Sequence, residues 1–311
     1  GGKLKSLNHK NLHVPLDDPL PIVTWMRKAL QAGRTPHLLT FASSAVHLCQ
    51  AAFEAGIDLR GAYLTMSGEP ITEARLATVR RTGAKPVPAY GSIECGYIGY
   101  GCLAPQSPDD LHLLHDLHAM IQPGQDGVTP GFPRDALFIS SLRRTAPFIL
   151  LNVSMGDQAV MTRRACGCPL EGLGWATHLH TIRSYEKLTS GGMAFLDTDV
   201  IRVLEEILPA RFGGAPTHYQ LVEDEAEDGR PCLRLLVHPA VGPLDSQAVS
   251  ETFLSAIGAG AGVERLTALL WRDAGILRVE RLAPRTTASG KILHLHLEHM
   301  PRATPASRPE A

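Results

Sequence analysis

Two short stretches carry side chains that could hold a phosphorylated ligand. They are Ser67-Gly68-Glu69-Pro70 and Tyr90-Gly91-Ser92-Ile93-Glu94, each just past a short apolar run. Glycine in such a loop lets backbone approach a flat base, and a neighbouring aromatic can stack on that base. The Ser92 hydroxyl suits a phosphate oxygen, and Glu94 offers a hard oxygen to Mg²⁺. Alone, either stretch reads better as a tight turn with an ordinary surface glutamate. A second group is sulfur-based: Cys49, Cys95, Cys102, Cys166, Cys168 and Cys232. Six cysteines in 311 residues are too few for a disulfide scaffold. Cys166-Gly167-Cys168 is too tight for an easy mutual disulfide, and it suits a metal site in a reducing, cytoplasmic compartment.

Alternating elements must position these residues. His37-Leu38-Leu39-Thr40-Phe41 reads as a buried strand, followed by a helix that Ser43 or Ser44 caps and Gly56 stops. Residues 62–66 read as a strand, 71–82 as a helix and 86–90 as a third strand. That order predicts parallel pairing with crossovers, so both candidate loops fall at the carboxyl ends of strands, where open α/β sheets bind ligands. Residues 111–117, 136–140, 148–153 and 158–162 read as strands of a more antiparallel region. After Arg183 come a Gly191-Gly192 joint, a helix (198–207), strands (218–223, 232–238), a helix (246–257) and a strand (265–271). This part predicts a small α+β unit built on a split β-α-β motif. Residues 223–229 read as an acidic, solvated hairpin tip, and 302–311 as a disordered tail.

Taken together, the two candidate loops resemble the paired nucleotide motifs of the acyl-adenylate-forming superfamily. The resemblance implies that Ser67 to Pro70 line the nucleotide site. It implies too that Tyr90, with Gly91 beside it, stacks on adenine, that Ser92 meets the α-phosphate and that Glu94 holds Mg²⁺. Three further matches follow in order. Gly156-Asp157 resembles the family's Gly-Asp, whose carboxylate accepts both ribose hydroxyls. Arg183, with Glu186 and Gly192 behind it, resembles the interdomain hinge and implies a ribose contact. Ser184-Tyr185-Glu186-Lys187 departs from that hinge in keeping a single acid. Pro284-Arg285-Thr286-Thr287-Ala288-Ser289-Gly290-Lys291 resembles the catalytic loop, in which Lys291 stabilises charge on the carboxylate and α-phosphate. The implied fold is the carboxy-terminal part of the large α/β domain (1–182), a hinge (183–187) and a small α+β lid (188–301).

Cys102, His112, Cys166 and Cys168 resemble a feature of the phenylacetate–coenzyme A ligase branch. As ligands they would make a closed tetrahedral structural Zn²⁺ site, with Cys95 as a secondary candidate. The alternative is that Cys102 fills core and His112 is a satisfied strand histidine. His294, His296 and His299 read as surface or strand residues, and His178 and His180 as alternating positions on a strand. Trp175 and Tyr97 line either an acyl pocket or apolar core.

Composition bounds the rest. The chain is 44% hydrophobic and 20% charged with net charge −1, which argues against a polyanion-binding surface and so against nucleic acid. No apolar run approaches the ~20 residues a bilayer requires, and the polar, basic start is not a signal peptide. Gly1-Gly2-Lys3 reads as a tag scar or a trimmed boundary. No Ser/Thr/Gly-rich phosphate loop is present. The chain is therefore read as a fragment, as a short homologue completed by a partner, or as a degenerate form.

The expected activity is ATP-dependent activation of a carboxylic acid, aromatic by branch analogy, as acyl-AMP. Coenzyme A is the expected acceptor. The alternatives are a carrier-protein thiol, an amine, or a non-catalytic nucleotide-binding or interaction module. A homodimer is compatible with this reading.

Overall fold

The computed structural model describes residues 14–15, 17–125, 127, 130–146, 148–185, 189–190, 193–194, 197–225, 231–259 and 263–297. The expectations for Glu186 and Lys187 of the hinge, Gly191-Gly192, most of the acidic hairpin tip, His299 and the 302–311 tail lie outside those residues.

The first unit runs α1 (Leu20–Gln31), β1 (His37–Phe41), α2 (Ala42–Glu54), β2 (Tyr63–Ser67), α3 (Glu73–Arg81) and β3 (Lys85–Ser92). It continues through β4 (Gly96–Gly101), β5 (Leu111–Leu113), β6 (His118–Ile121), β7 (Ala136–Ser141), β8 (Val153–Arg163) and β9 (Thr177–Ser184). These strands form one nine-stranded sheet in the order β1-β2-β3-β4-β5-β9-β8-β7-β6. As predicted, β1, β2 and β3 pair in parallel, and every other recorded pairing in the sheet is antiparallel. Helices α1, α2 and α3 cover the parallel end through Met26, Leu48, Cys49, Leu76 and Val79, which share one core with Leu64 and Met66 of β2. That apolar burial is the main term holding the unit together.

The second unit has β10 (Thr189–Ser190), β11 (Met193–Ala194), α4 (Asp197–Arg202), a π-helical turn (Val203–Ile207) and α5 (Leu208–Phe212). Then follow β12 (Tyr219–Glu225), β13 (Pro231–Val237), α6 (Ser246–Gly258), α7 (Val263–Ala274), β14 (Leu277–Glu280) and β15 (Leu295–Leu297). Its sheet has the order β14-β13-β12-β15, with its own core around Leu221, Leu235, Phe253 and Trp271. The π turn has a local cause: Pro209 has no N–H to close an α-helical bond onto Glu205.

Some expectations are corrected. Residues 148–152 are not a strand; Phe148, Ile149 and Leu151 are exposed, and β8 starts only at Val153. Residues 265–271 lie in helix α7, where Ala268 and Trp271 are buried three positions apart and Leu269 and Leu270 are exposed. The 111–117 strand stops at Leu113. Helix α1 and strands β14 and β15 add to the elements read from sequence.

Candidate functional site

Both candidate loops lie at the carboxyl ends of adjacent parallel strands. Ser67 ends β2, and Gly68 turns the chain away at φ +75°. A Cβ at Gly68 would stand 2.9 Å from the Phe41 ring and 3.3 Å from Lys291 Nζ, so only glycine fits there. The Glu69 side chain is fully buried, 0% exposed. One oxygen accepts the Ser43 N–H at 2.7 Å, in the first turn of α2. This supplies the helix-start partner that the sequence reading assigned to a serine hydroxyl; Phe41 makes no side-chain cap bond. The other oxygen accepts the Ile292 N–H at 2.9 Å. The Glu69 carboxylate is thus committed to the protein itself.

Tyr90 lies where β3 and β4 slip register, and Gly91 follows because a Cβ there would meet the Gly96 carbonyl at 2.4 Å. The Tyr90 hydroxyl donates to Asp157 Oδ2 at 2.8 Å. Burial, reinforced by the Asp157 charge, pushes the Tyr90 phenol well above its ordinary range. Asp157 sits beside a second slip, between β8 and β9. Ser92 Oγ lies 3.1 Å from Cys95 Sγ, and its hydroxyl, the larger cause, holds the exposed Glu94 carboxyl below the usual range.

Arg183 bonds through Nη1 to Asp109 Oδ2 at 3.2 Å and to the Ile182 carbonyl at 2.7 Å. Asp109 also accepts the Thr181 and Ile182 amides, and Thr181 has φ +55°. Sequence reasoning missed Asp109, whose only signal was an Asp-Asp pair in a loop.

Lys291 comes from the other unit. Its loop is closed on itself by Thr287, whose hydroxyl accepts the Lys291 N–H at 3.0 Å and whose carbonyl accepts the Gly290 N–H at 2.8 Å. Lys291 Nζ stands over the Phe41 ring, 4.7 Å from its centroid. The fold therefore brings Lys291 to Gly68, joins Tyr90 to Asp157, and keeps Ser92 with Glu94.

The sulfur group also assembles. The donor atoms of Cys102, His112, Cys166 and His178 all lie within 4.8 Å of one another. Cys168 Sγ is 3.2 Å from His112 Nε2, so five donors converge where the sequence named four. His178 was read as a mere strand position; the structure buries it completely. Its Nδ1 is 2.7 Å from Asp110 Oδ1, and its Nε2 is buried without a partner. A carboxylate-oriented imidazole with an orphaned nitrogen among thiols fits a soft divalent metal. The His112 Nδ1 is likewise fixed, by the Trp175 carbonyl at 2.5 Å, which places Trp175 as a support of this cluster. Cys95 sits apart from it, beside Ser92.

The remaining histidine reading is also corrected. His294 is 6% exposed and bonds to Glu205. A cavity of about 740 Å³ runs along β6 and β8 and is lined by none of the residues above. Among the described residues, no helix is long and apolar enough to cross a membrane.

No protein-family description matches the sequence, and no curated protein does. Solved structures do match. A 2-hydroxyisobutyryl-CoA ligase in its postadenylation state superposes with TM-score 0.59 at 19% identity, over 89% of this chain and 56% of that one. The anthranilate CoA ligase AuaEII in complex with anthranoyl-AMP gives 0.58 at 12%, over 90% and 52%. The amide bond synthetase McbA from Marinactinospora thermotolerans gives 0.54 at 15%, over 89% and 53%. The chain spans about half the length of the structures it matches. At these identities the likeness shows the fold alone, the one these solved structures share over the matched half of their length.

Proposed function

We propose that the chain, folded as part of an acyl-adenylate-forming enzyme, belongs to an ATP-dependent carboxylate activator. The observation that carries this reading is Lys291. Its ammonium comes from a self-closed loop of one unit and stands at Gly68, beside the carboxyl end of β2 in the other. A fixed cation there suits a reaction in which negative charge gathers on a phosphate.

In this reading a substrate carboxylate oxygen bonds the α-phosphorus of ATP while the bond to the β-phosphate bridging oxygen breaks and pyrophosphate leaves. A thiol sulfur then bonds the acyl carbon and AMP leaves. Tyr90 offers its ring to the base. Asp157 and Arg183 face the ribose, and Ser92 meets the α-phosphate. Lys291 offsets charge on the carboxylate and phosphate. Glu94, exposed and held ionised, supplies the oxygen for Mg²⁺, which would neutralise phosphate charge when bound. Residues 1–182 act as the large domain, 183–187 as the hinge and 188–301 as the lid, whose rotation withdraws Lys291 to admit the acceptor.

Coenzyme A is the proposed acceptor, with a carrier-protein thiol or an amine as alternatives; the matched structures include both CoA ligases and an amide synthetase. An aromatic acid is the proposed substrate class. A structural Zn²⁺ is proposed at Cys102, His112, Cys166 and His178, with Cys168 as the fifth donor, tying β4, β5 and β9 to the loop after β8.

The test is carboxylate-dependent ATP–pyrophosphate exchange across aromatic and aliphatic acids. Exchange with one acid class, lost by at least ~100-fold in Lys291→Ala, supports adenylation. Nucleotide binding indifferent to Lys291→Ala, without exchange by any acid, favours a binding module instead.

A further inference from the structure

Behind the Lys291 loop, four side chains from distant parts of the chain meet in a buried polar cluster. Arg75, on α3, is 1% exposed; Glu205, on the π-helical turn, is 2% exposed; His294, just before β15, is 6% exposed. Arg75 Nε donates to Glu205 Oε1 at 2.7 Å, and Thr72 Oγ1 donates to Glu205 Oε2. His294 Nε2 lies 2.5 Å from Glu205 Oε1. At that distance the nitrogen must carry the proton, since two acceptors would repel; the approach of Arg75 Nη2 to the same nitrogen, at 3.2 Å, is then a contact and not a second bond. On its other side Arg75 reaches Glu69 Oε2 at 3.6 Å. Glu69 in turn holds the Ile292 amide, next to Lys291.

The residues alternate between the two units: Thr72, Arg75 and Glu69 from the large sheet's side, Glu205 and His294 from the small sheet's. Every charge in the cluster is desolvated, so each needs its partner in place. Buried ion pairs add little net stability, because desolvation offsets most of their attraction. They do penalise any arrangement that leaves one member buried and unpaired. A greasy contact tolerates sliding by a residue or a rotation; this cluster does not. It sits one step from the Ile292 amide, so an error in docking moves Lys291. The π-helical turn at Glu205 supports the same reading, because it offsets that side chain from where an α-helix would aim it.

We propose that Arg75, Glu205, His294 and Thr72 are positioning residues: they fix the one docked orientation of the two units in which Glu69 clasps Ile292 and Lys291 meets Gly68. The clasp is specific and openable, since water solvates every member once the units part. It rests on the adenylation reading only for its consequence in catalysis, and the docking itself is testable without activity.

The experiment is hydrogen exchange on the whole chain, reading the Ile292 amide against Leu235 in β13. Ile292 reports opening between the units, and Leu235 reports the integrity of the small sheet. Glu205→Gln should speed exchange at Ile292 by about 100-fold while Leu235 is unchanged. Should Glu205→Gln fail to fold, Thr72→Val, which removes the bond to Glu205 and the cap that the same hydroxyl gives the Arg75 N–H at the start of α3, should give at least about fivefold, and Thr72→Ser, which keeps both bonds, should restore protection. Ile292 exchange within twofold of the parent in a folded Glu205→Gln or Thr72→Val chain overturns the proposal. So does equal acceleration at both amides, which marks a merely structural role. If the parent chain supports exchange of pyrophosphate into ATP, Thr72→Val should slow it with thiolysis of added acyl-AMP unchanged. If the parent has no such activity, the adenylation reading fails and the Ile292 result alone decides the clasp.

Discussion

Three histidines face one another between helix α2 and the small unit, and they should make this junction acid-sensitive. His47 lies on α2, His218 closes the turn before β12, and His238 follows β13; the rings of His218 and His238 stack at 4.8 Å and 17°. His218 Nδ1 accepts the Ala215 N–H at 3.2 Å, and His238 Nδ1 accepts the Ala240 N–H at 3.1 Å. Protonating either Nδ1 breaks its bond. Burial, and then the neighbouring His238 and His47, lower His218 to about 4. Burial lowers His47, opposed by Glu69 and aided by His238 and Arg75; burial and then Arg281 lower His238. A base whose folded value is depressed binds fewer protons folded than unfolded. Stability is therefore complete above the ordinary histidine range and falls as pH drops from about 6.5 towards 4. Each pH unit in that window costs ~1.4 kcal/mol for a dry ring. His218 is only partly buried, so about half of that, or ~1.3 kcal/mol at pH 4.5, is expected after screening. The assay is thermal or urea unfolding from pH 7.5 to 4.5 for the parent and His218→Asn. The Asn carbonyl can accept the Ala215 N–H and cannot protonate. The two chains should match within ~0.5 kcal/mol at pH 7.5, and His218→Asn should be the more stable by ~1.3 kcal/mol at pH 4.5. Carboxylate titration is common to both and cancels. Parallel stability curves would refute the reasoning.

Two further outcomes are expected. The chain purified with zinc should hold one equivalent by elemental analysis. Cys166→Ser with Cys168→Ser should lose it, and His178→Ala should weaken retention by about 10-fold or more because an orienting carboxylate is lost with the ligand; full retention in His178→Ala would return that residue to the strand-filler reading. Tyr90→Phe removes the donor to Asp157. It should cost about 1 kcal/mol in unfolding experiments, so an unchanged midpoint would show that bond to be idle.

The parallel half of the large sheet was legible because its signals are local: apolar runs of strand length, and Gly56 and Gly83 after the helices. The errors arose where packing decided. Residues 148–152 look buried by hydropathy, yet Ile149 is 94% exposed; an apolar run does not say which face covers it. Arg265 to Trp271 alternates at its start and mimics a strand; the helical period shows only over the longer stretch Val263–Ala274, where Val263, Leu266, Leu270 and Ala274 recur at helical spacing. At the site, residues within one loop were legible from order and spacing. Asp109, Asp110, Arg75 and Glu205 were not, because their partners lie far away in sequence: 74 positions for Arg183 and Asp109, and 130 for Arg75 and Glu205. No window of sequence contains such a pair.

Glu69 shows what this separation means for function. In the sequence it stands inside a loop whose other members point to a ligand, and reading it as one of them was natural. In the fold it holds the start of α2, the Ile292 amide and the Arg75 side chain at once. Gly68, next to it, leaves just the space that Phe41 and Lys291 occupy. A single turn therefore shapes the end of β2 and receives the loop that brings the cation. Assembling the candidate site and docking the two units are one event, with Glu69 as the point where they meet. It follows that changes at Arg75 or Glu205, which touch no ligand in the proposed reading, act on Lys291 through Glu69, whereas changes at Tyr90 or Asp157, proposed to meet the nucleotide, leave the docking intact.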